Sequence, residues 1–305
     1  VSDKLREKIE QAVEELGYIP NRTAGALASG HSHTVAVLVP SLTDKASSRF
    51  MQSLQQVLNK NEFQLLLGCH EYNQLKEAEI LMTLLQGNPA ALVIFGSQLA
   101  DKTHQILEKT NIPTVNVVGS PFSPAQITIE TAFFEASHKL TEHLLEQGYK
   151  NIGFIGAHMD NRLQRQQLNG WHKAMLSHYQ NSDLVITMPD AASLQLGRYA
   201  LNEILLRQPE LDAVICSHEE IALGIMFECQ RRLLKIPENI AVACLDGSDN
   251  CDQTHPTLTS IRIDYKKMGI ETGKLLIGLL NNNHDESEES RIVQFNYQIE
   301  LRQST

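Results

Sequence analysis

Gly17-Tyr18-Ile19-Pro20-Asn21-Arg22-Thr23-Ala24-Gly25-Ala26-Leu27-Ala28, and then Thr34-Val35-Ala36-Val37-Leu38-Val39, set the plan of this chain. Ahead of them Ser2 can cap a helix that places Leu5, Ile9, Ala12, Val13 and Leu16 on one face, with Gly17 as its stop. So narrow an apolar stripe needs partners. Asn21 is a good N-cap for a second segment, in which Gly25 costs about 1 kcal/mol. At eight residues, 21–28 is predicted to be helical only when something holds it. The run 34–39 is almost wholly apolar, as a strand covered on both faces must be. A small helical piece hinged to such a body reads as a switch, in which the body senses and the small piece acts.

Outward from that strand, two rhythms follow. Apolar runs at 34–39, 63–67, 91–95 and 114–118 alternate with helical patterns near 44–60, 74–86 and 100–109. A fifth run, 152–155, follows a long helix predicted over 131–147. Strands near 184–188, 212–216 and 240–245 then alternate with helices near 162–178, 194–207 and 218–233. Apolar strands with helical crossovers make parallel sheets, and two such sets make an α/β protein of two doubly wound lobes. Helix 264–281 and a last strand over 291–301 return the chain between them, and the acidic stretch 281–290 is predicted to be a surface loop.

Across its 305 residues the chain is 42% hydrophobic and 20% charged, an ordinary globular balance. A net charge of −10 argues against nucleic-acid binding by the whole body and would confine DNA contact to a separate basic head. Five scattered cysteines without a C-x-x-C pair fit neither a disulfide framework nor a zinc site, and a reducing cytoplasm is expected. No apolar run is long enough for a membrane span, and no secretory signal is visible.

The order E-L-G-Y-x-P-N-x-x-A, a hinge helix ending in Leu-Ala, and a long α/β core resembles the LacI family of transcriptional regulators. That resemblance covers nearly the whole chain and implies a core like the type I periplasmic binding proteins. It divides the chain into a headpiece remnant and hinge (1–30), a first lobe (33–156 plus 264–290) and a second lobe (157–261 plus 291–305). It implies that Leu27 wedges into a base step of operator DNA, that Asn21 and Arg22 touch the backbone, and that Ala24 and Ala28 complete the hinge motif. Read unaided, the same residues are a plain linker. The family also implies a homodimer. Glu300 to Thr305 carry no heptad pattern, which favours a dimer over a tetramer.

In parallel α/β lobes, ligands bind beyond the carboxyl ends of strands. Polar residues gather at four such ends: Ser41, Asp44 and Ser47; Arg162, Arg165 and Gln167; His218; and Asp246. Each has a plain alternative. Ser41, Asp44 and Ser47 read equally as helix caps, Arg162 and Arg165 as solvated charges, His218 as a satisfied polar residue, and Asp246 as a turn cap. The resemblance favours ligand contact, with Asp246 on sugar hydroxyls and an arginine fork on a carboxylate. Three departures from the family pattern matter. Gln167 replaces the arginine before Gly170-Trp171, Ser47 replaces an aromatic, and His218-Glu219 replaces Asn-Asp. All remove stacking surface, so an open polar effector is expected rather than a planar base. Pro40-Ser41-Leu42-Thr43 and Phe227-Glu228-Cys229-Gln230-Arg231 resemble the gluconate-utilisation branch, which implies a sugar acid.

No P-loop, G-x-G-x-x-G or G-x-S-x-G is present, so no enzyme and no cofactor are expected. His218-Glu219-Glu220-Ile221-Ala222 opens like a zincin helix but lacks the second histidine, and His31-Ser32-His33 has no further ligands nearby; no metal is expected. The competing reading is a periplasmic-type sugar-binding protein with no DNA function.

Overall fold

The computed structural model describes residues 3–17, 32–96, 99–119, 125, 127–157, 162–281 and 291–305. The hinge residues Asn21, Arg22, Ala24, Leu27 and Ala28 lie outside them, as do 158–161 and the loop 282–290. Helix α1 (Asp3–Leu16) forms as predicted. Of its stripe, Leu5 is 51% and Leu16 81% exposed.

The first sheet runs β11-β5-β4-β3-β1-β2 and is parallel throughout. Its strands are β1 (Thr34–Val39), β2 (Gln64–Cys69), β3 (Ala91–Phe95), β4 (Thr114–Val117), β5 (Ile127–Thr131) and β11 (Arg291–Phe295). The pleat sends alternate residues of β1 to opposite faces, and both faces are covered. Val35, Val37 and Val39 pack on Phe50, Leu54 and Leu58 of α2 (Lys45–Lys60) and on Met268 and Leu276 of α9 (Tyr265–Asn281). Ala36 and Leu38 pack on Leu81 and Leu84 of α3 (Gln74–Gln86) and on Leu107 of α4 (Asp101–Leu107).

The second sheet repeats the plan in the order β12-β10-β9-β8-β6-β7, antiparallel only where β12 meets β10. Its strands are β6 (Ile152–Ala157), β7 (Val185–Met188), β8 (Ala213–Cys216), β9 (Ala241–Cys244), β10 (Thr259–Ile263) and β12 (Tyr297–Glu300). Ile152 and Phe154 face α5 (Phe133–Glu146) and α6 (Arg162–Ser177), where Trp171 is fully buried. Ile155 and Ala157 face α7 (Leu194–Arg207) and α8 (Glu219–Arg231). Small residues bring α7 and α8 together. A Cβ on Gly197 would stand 2.1 Å from the Ile221 carbonyl oxygen, and one on Gly224 would stand 2.2 Å from that of Leu194.

Strand pairing corrects the expected lobe boundaries. β6 belongs to the second sheet, not the first, and α5 packs beneath it, so the chain leaves the first lobe after β5 rather than near 156. β5 itself has no counterpart in the sequence reading. The single strand expected over 291–301 is two strands. Arg291–Phe295 edges the first sheet and Tyr297–Glu300 the second, so the last return into the second lobe comes after 295 rather than at 291. Helix α9 packs on the first lobe as expected.

Candidate functional site

The carboxyl ends of both sheets face one cavity of about 270 Å³. Its first-lobe wall comes from Pro40 and the start of α2, from Tyr72 after β2, from Phe95 and Gly96 at the end of β3, and from Tyr265 of α9. Its second-lobe wall comes from Gln164 and Gln167 of α6, from His218 and Glu220 at the start of α8, and from Asp246 after β9.

Of the residues singled out from the sequence, Asp44, Ser47, Gln167, His218 and Asp246 line this cavity. Ser41 does not. Its hydroxyl accepts the backbone N–H groups of Thr43 and Asp44 and meets the Thr43 hydroxyl, so it shapes the turn into α2. Arg162 and Arg165 are also absent from the wall; on this stretch of α6 Leu163, Gln164 and Gln167 form it. The cationic residues of the wall are instead Lys45 and Arg49, one and five residues past Asp44.

Asp44 precedes α2 without capping it through its side chain, and accepts the Tyr72 hydroxyl instead. Tyr72 reaches that position because Glu71 and Tyr72 take left-handed conformations, φ 52° and 58°. Two successive non-glycine residues there are uncommon and strained, and nothing in the local sequence announces them. Tyr265 donates its hydroxyl to Asp246. Burial, with the negative charges of Glu220, Glu219 and Asp44 around it, pushes the Asp246 carboxyl up to about 7. Burial likewise raises the Tyr72 and Tyr265 hydroxyls.

Lys45 spans the cleft. Its ammonium lies 2.6 Å from Glu219 Oε1 and 3.0 Å from Glu220 Oε1, joining the first lobe to the second. Burial works to lower its pKa, and hydrogen bonds to the two carboxylates more than offset that. Glu219 is 1% exposed. It accepts the Ser248 backbone N–H (2.7 Å) and the Asn250 amide (2.9 Å) besides Lys45. Burial would raise its carboxyl, but these donors hold it below the usual range. A second bridge joins Arg49 to Asp249 at 3.4 Å, and Asp249 pairs in turn with Arg262.

His218 meets the Ser217 hydroxyl at Nδ1 (2.8 Å) and the Gln164 amide at Nε2 (3.4 Å), which fixes its ring against the wall. Gln164 and Gln167 are 8% and 3% exposed, and the side-chain oxygen of each is buried with no hydrogen-bond partner among the described residues. Buried acceptors left this way cost about 1–3 kcal/mol each, and a ligand hydroxyl would satisfy them. Among the described residues no group of three or more His, Cys, Asp or Glu is arranged to hold a metal ion, and no helix is long and apolar enough to cross a membrane. The five cysteines are unbridged.

Comparison with known proteins agrees with this architecture. The model of the periplasmic binding protein-like domain matches residues 141–305. The HTH-type transcriptional regulator GntR of Escherichia coli K12 is 30% identical over 272 residues, 88% of this chain and 81% of that protein. A PurR-family transcriptional regulator from Vibrio parahaemolyticus superposes with a TM-score of 0.81 at 40% identity, over 89% of this chain and 98% of that one. A LacI-family protein of Silicibacter pomeroyi superposes with a TM-score of 0.90 at 25% identity, over 100% of this chain and 91% of its own. These relatives are transcription regulators rather than enzymes. With two α/β lobes facing a shared cleft, the chain belongs to the LacI family of transcriptional regulators.

Proposed function

We propose that this chain is an effector-responsive repressor whose inter-lobe cleft takes a sugar acid such as gluconate, and whose hinge segment 21–28 passes that event to operator DNA in a homodimer. The cleft carries the reading. It has the volume for a small molecule, it lies between two lobes, and among apolar walls it presents buried acceptors that hydroxyl groups would satisfy (Gln164, Gln167) beside the carboxyl of Asp246. The likeness to GntR supports the sugar-acid class. A ligand that bridges the lobes alters the angle between them and so the spacing of two hinge segments. Coupling of about 1–3 kcal/mol would change operator affinity roughly 5–150-fold, and operator would change effector affinity by the same factor.

The alternative, a sugar-binding protein without DNA function, shares the core but gives residues 1–30 no role, and the relatives found are regulators. A thermal-shift series over sugars, sugar acids and their phosphates, followed by operator titration with and without the strongest binder, tests the proposal. A protein that binds a sugar acid yet holds operator equally with and without it refutes the coupling.

A further inference from the structure

The walls of the cleft differ in chemistry. Lys45 and Arg49 stand on the first-lobe side, at the start of α2. Across from them are acceptors: Asp246 and the unpartnered oxygens of Gln164 and Gln167. A ligand that is uniformly hydroxylated has no reason to prefer one orientation in such a cleft. A ligand with an anionic head and a hydroxylated tail does.

The first-lobe end is built to take the head. A helix start leaves backbone N–H groups without intrahelical partners and carries the positive end of the helix dipole. At α2 no side chain caps those groups, because Asp44 turns to the Tyr72 hydroxyl instead. Lys45, Ala46 and Ser47 all line the cavity. An uncapped helix start alone would mean little. Here the first residue of that helix is Lys45, whose ammonium reaches across the cleft to Glu219 and Glu220, and two nine-tenths-buried amide oxygens await donors on the opposite wall.

Resting on the sugar-acid reading above, we propose that Lys45 and the first turn of α2 hold the carboxylate of the effector. Its hydroxyl chain then runs toward Gln164, Gln167 and Asp246, and Glu220 competes for the same ammonium. An ammonium has three protons to give. Glu219 takes one and keeps it, since it is buried among Ser248, Asn250 and Lys45. Glu220 takes a second at 3.0 Å from a position 37% exposed, where it can swing to water. The incoming carboxylate takes over the proton that Glu220 held and displaces Glu220 to water, so Lys45 ends up between one protein carboxylate and one ligand carboxylate. The arginine fork expected at Arg162 and Arg165 has no part in this arrangement.

Calorimetric titration of the 305-residue chain with gluconate and with glucitol, its uncharged polyol counterpart, tests the assignment. Wild-type protein should prefer gluconate. Lys45→Gln should weaken gluconate binding about tenfold or more while leaving glucitol within about twofold. Glu220→Gln, which removes the competitor, should tighten gluconate several-fold and leave glucitol alone, a gain that a damaged fold would not produce. Unchanged gluconate affinity in Lys45→Gln, or weaker gluconate binding in Glu220→Gln, overturns the role of Lys45 and leaves the sugar-acid reading standing. Wild-type protein that ignores gluconate or prefers glucitol overturns both.

Discussion

Replacing Asp246 with asparagine isolates the electrostatic strain at the floor of the cleft. The carboxyl stands at about 7 instead of its ordinary 3.8, because burial and the charges of Glu220, Glu219 and Asp44 oppose ionisation more than Lys45 favours it. Between those two values the folded protein holds a proton that the unfolded chain has released. Stability therefore falls as pH rises through this window and levels off above about 7. At about 1.36 kcal/mol per pH unit, the whole effect has a ceiling of about 4 kcal/mol, of which roughly 3 kcal/mol develops between pH 5 and 8. Water in the cavity screens part of it, since Asp246 is only half-buried.

Asparagine cannot ionise and keeps the shape. Asp246→Asn should therefore gain on wild type steadily from pH 5 to 7 and hold its lead above that. The widening corresponds to several degrees in Tm for lobes of this size. Thermal unfolding of both proteins at half-unit pH steps, without ligand, measures it. Parallel curves, with a constant Tm difference from pH 5 to 8, would refute the claim that this carboxyl is held protonated. The same variant should lose effector binding, so a residue that weakens the empty protein would be the one that ligand needs.

Gln167→Leu removes a buried acceptor that has no partner. Unfolding stability should stay level or rise by about 1 kcal/mol. Gluconate affinity should fall about tenfold, and an unaltered isotherm would remove Gln167 from the site. Gly197→Ala would place a Cβ 2.1 Å from the Ile221 carbonyl oxygen, so urea unfolding should show a loss of about 1–3 kcal/mol, and a change below about 0.5 kcal/mol would contradict the packing of α7 on α8. Leu27→Ala tests the hinge. Operator binding should fall in a mobility-shift assay while gluconate still raises Tm, and undiminished operator binding would refute the wedge.

The sequence was legible where burial is uniform. β1 and β3 are short, almost wholly apolar runs buried on both faces, and their patterns give them away. β5, Ile127-Thr128-Ile129-Glu130-Thr131, escaped notice because alternating polar residues read as surface, yet Thr128 and Thr131 are 2% and 8% exposed. Missing that strand carried the lobe boundary about 25 residues too far, past α5 and β6. At the site, the rule that ligands meet strand ends located Asp44, Ser47, His218 and Asp246. It could not give the rotation of α6. Arg162 and Arg165 share the three-residue spacing of Gln164 and Gln167, and packing alone decides which pair faces the cavity. Tyr72 depends on two left-handed residues, and Lys45 on partners in the other lobe 174 residues away.

Neither sheet is finished until residues 291–300 have been made. β11 closes the edge of the first sheet, β12 that of the second, and the Ser304 hydroxyl, wholly buried, donates to the Val242 carbonyl and accepts the Thr259 N–H. A nascent chain on the ribosome would thus hold two sheets each lacking an edge strand, with unpaired backbone exposed, until residues beyond 300 emerge. The two halves then mature together rather than in succession. Stop codons within 291–295 should accordingly injure both lobes at once, whereas those within 297–300 should injure the second alone.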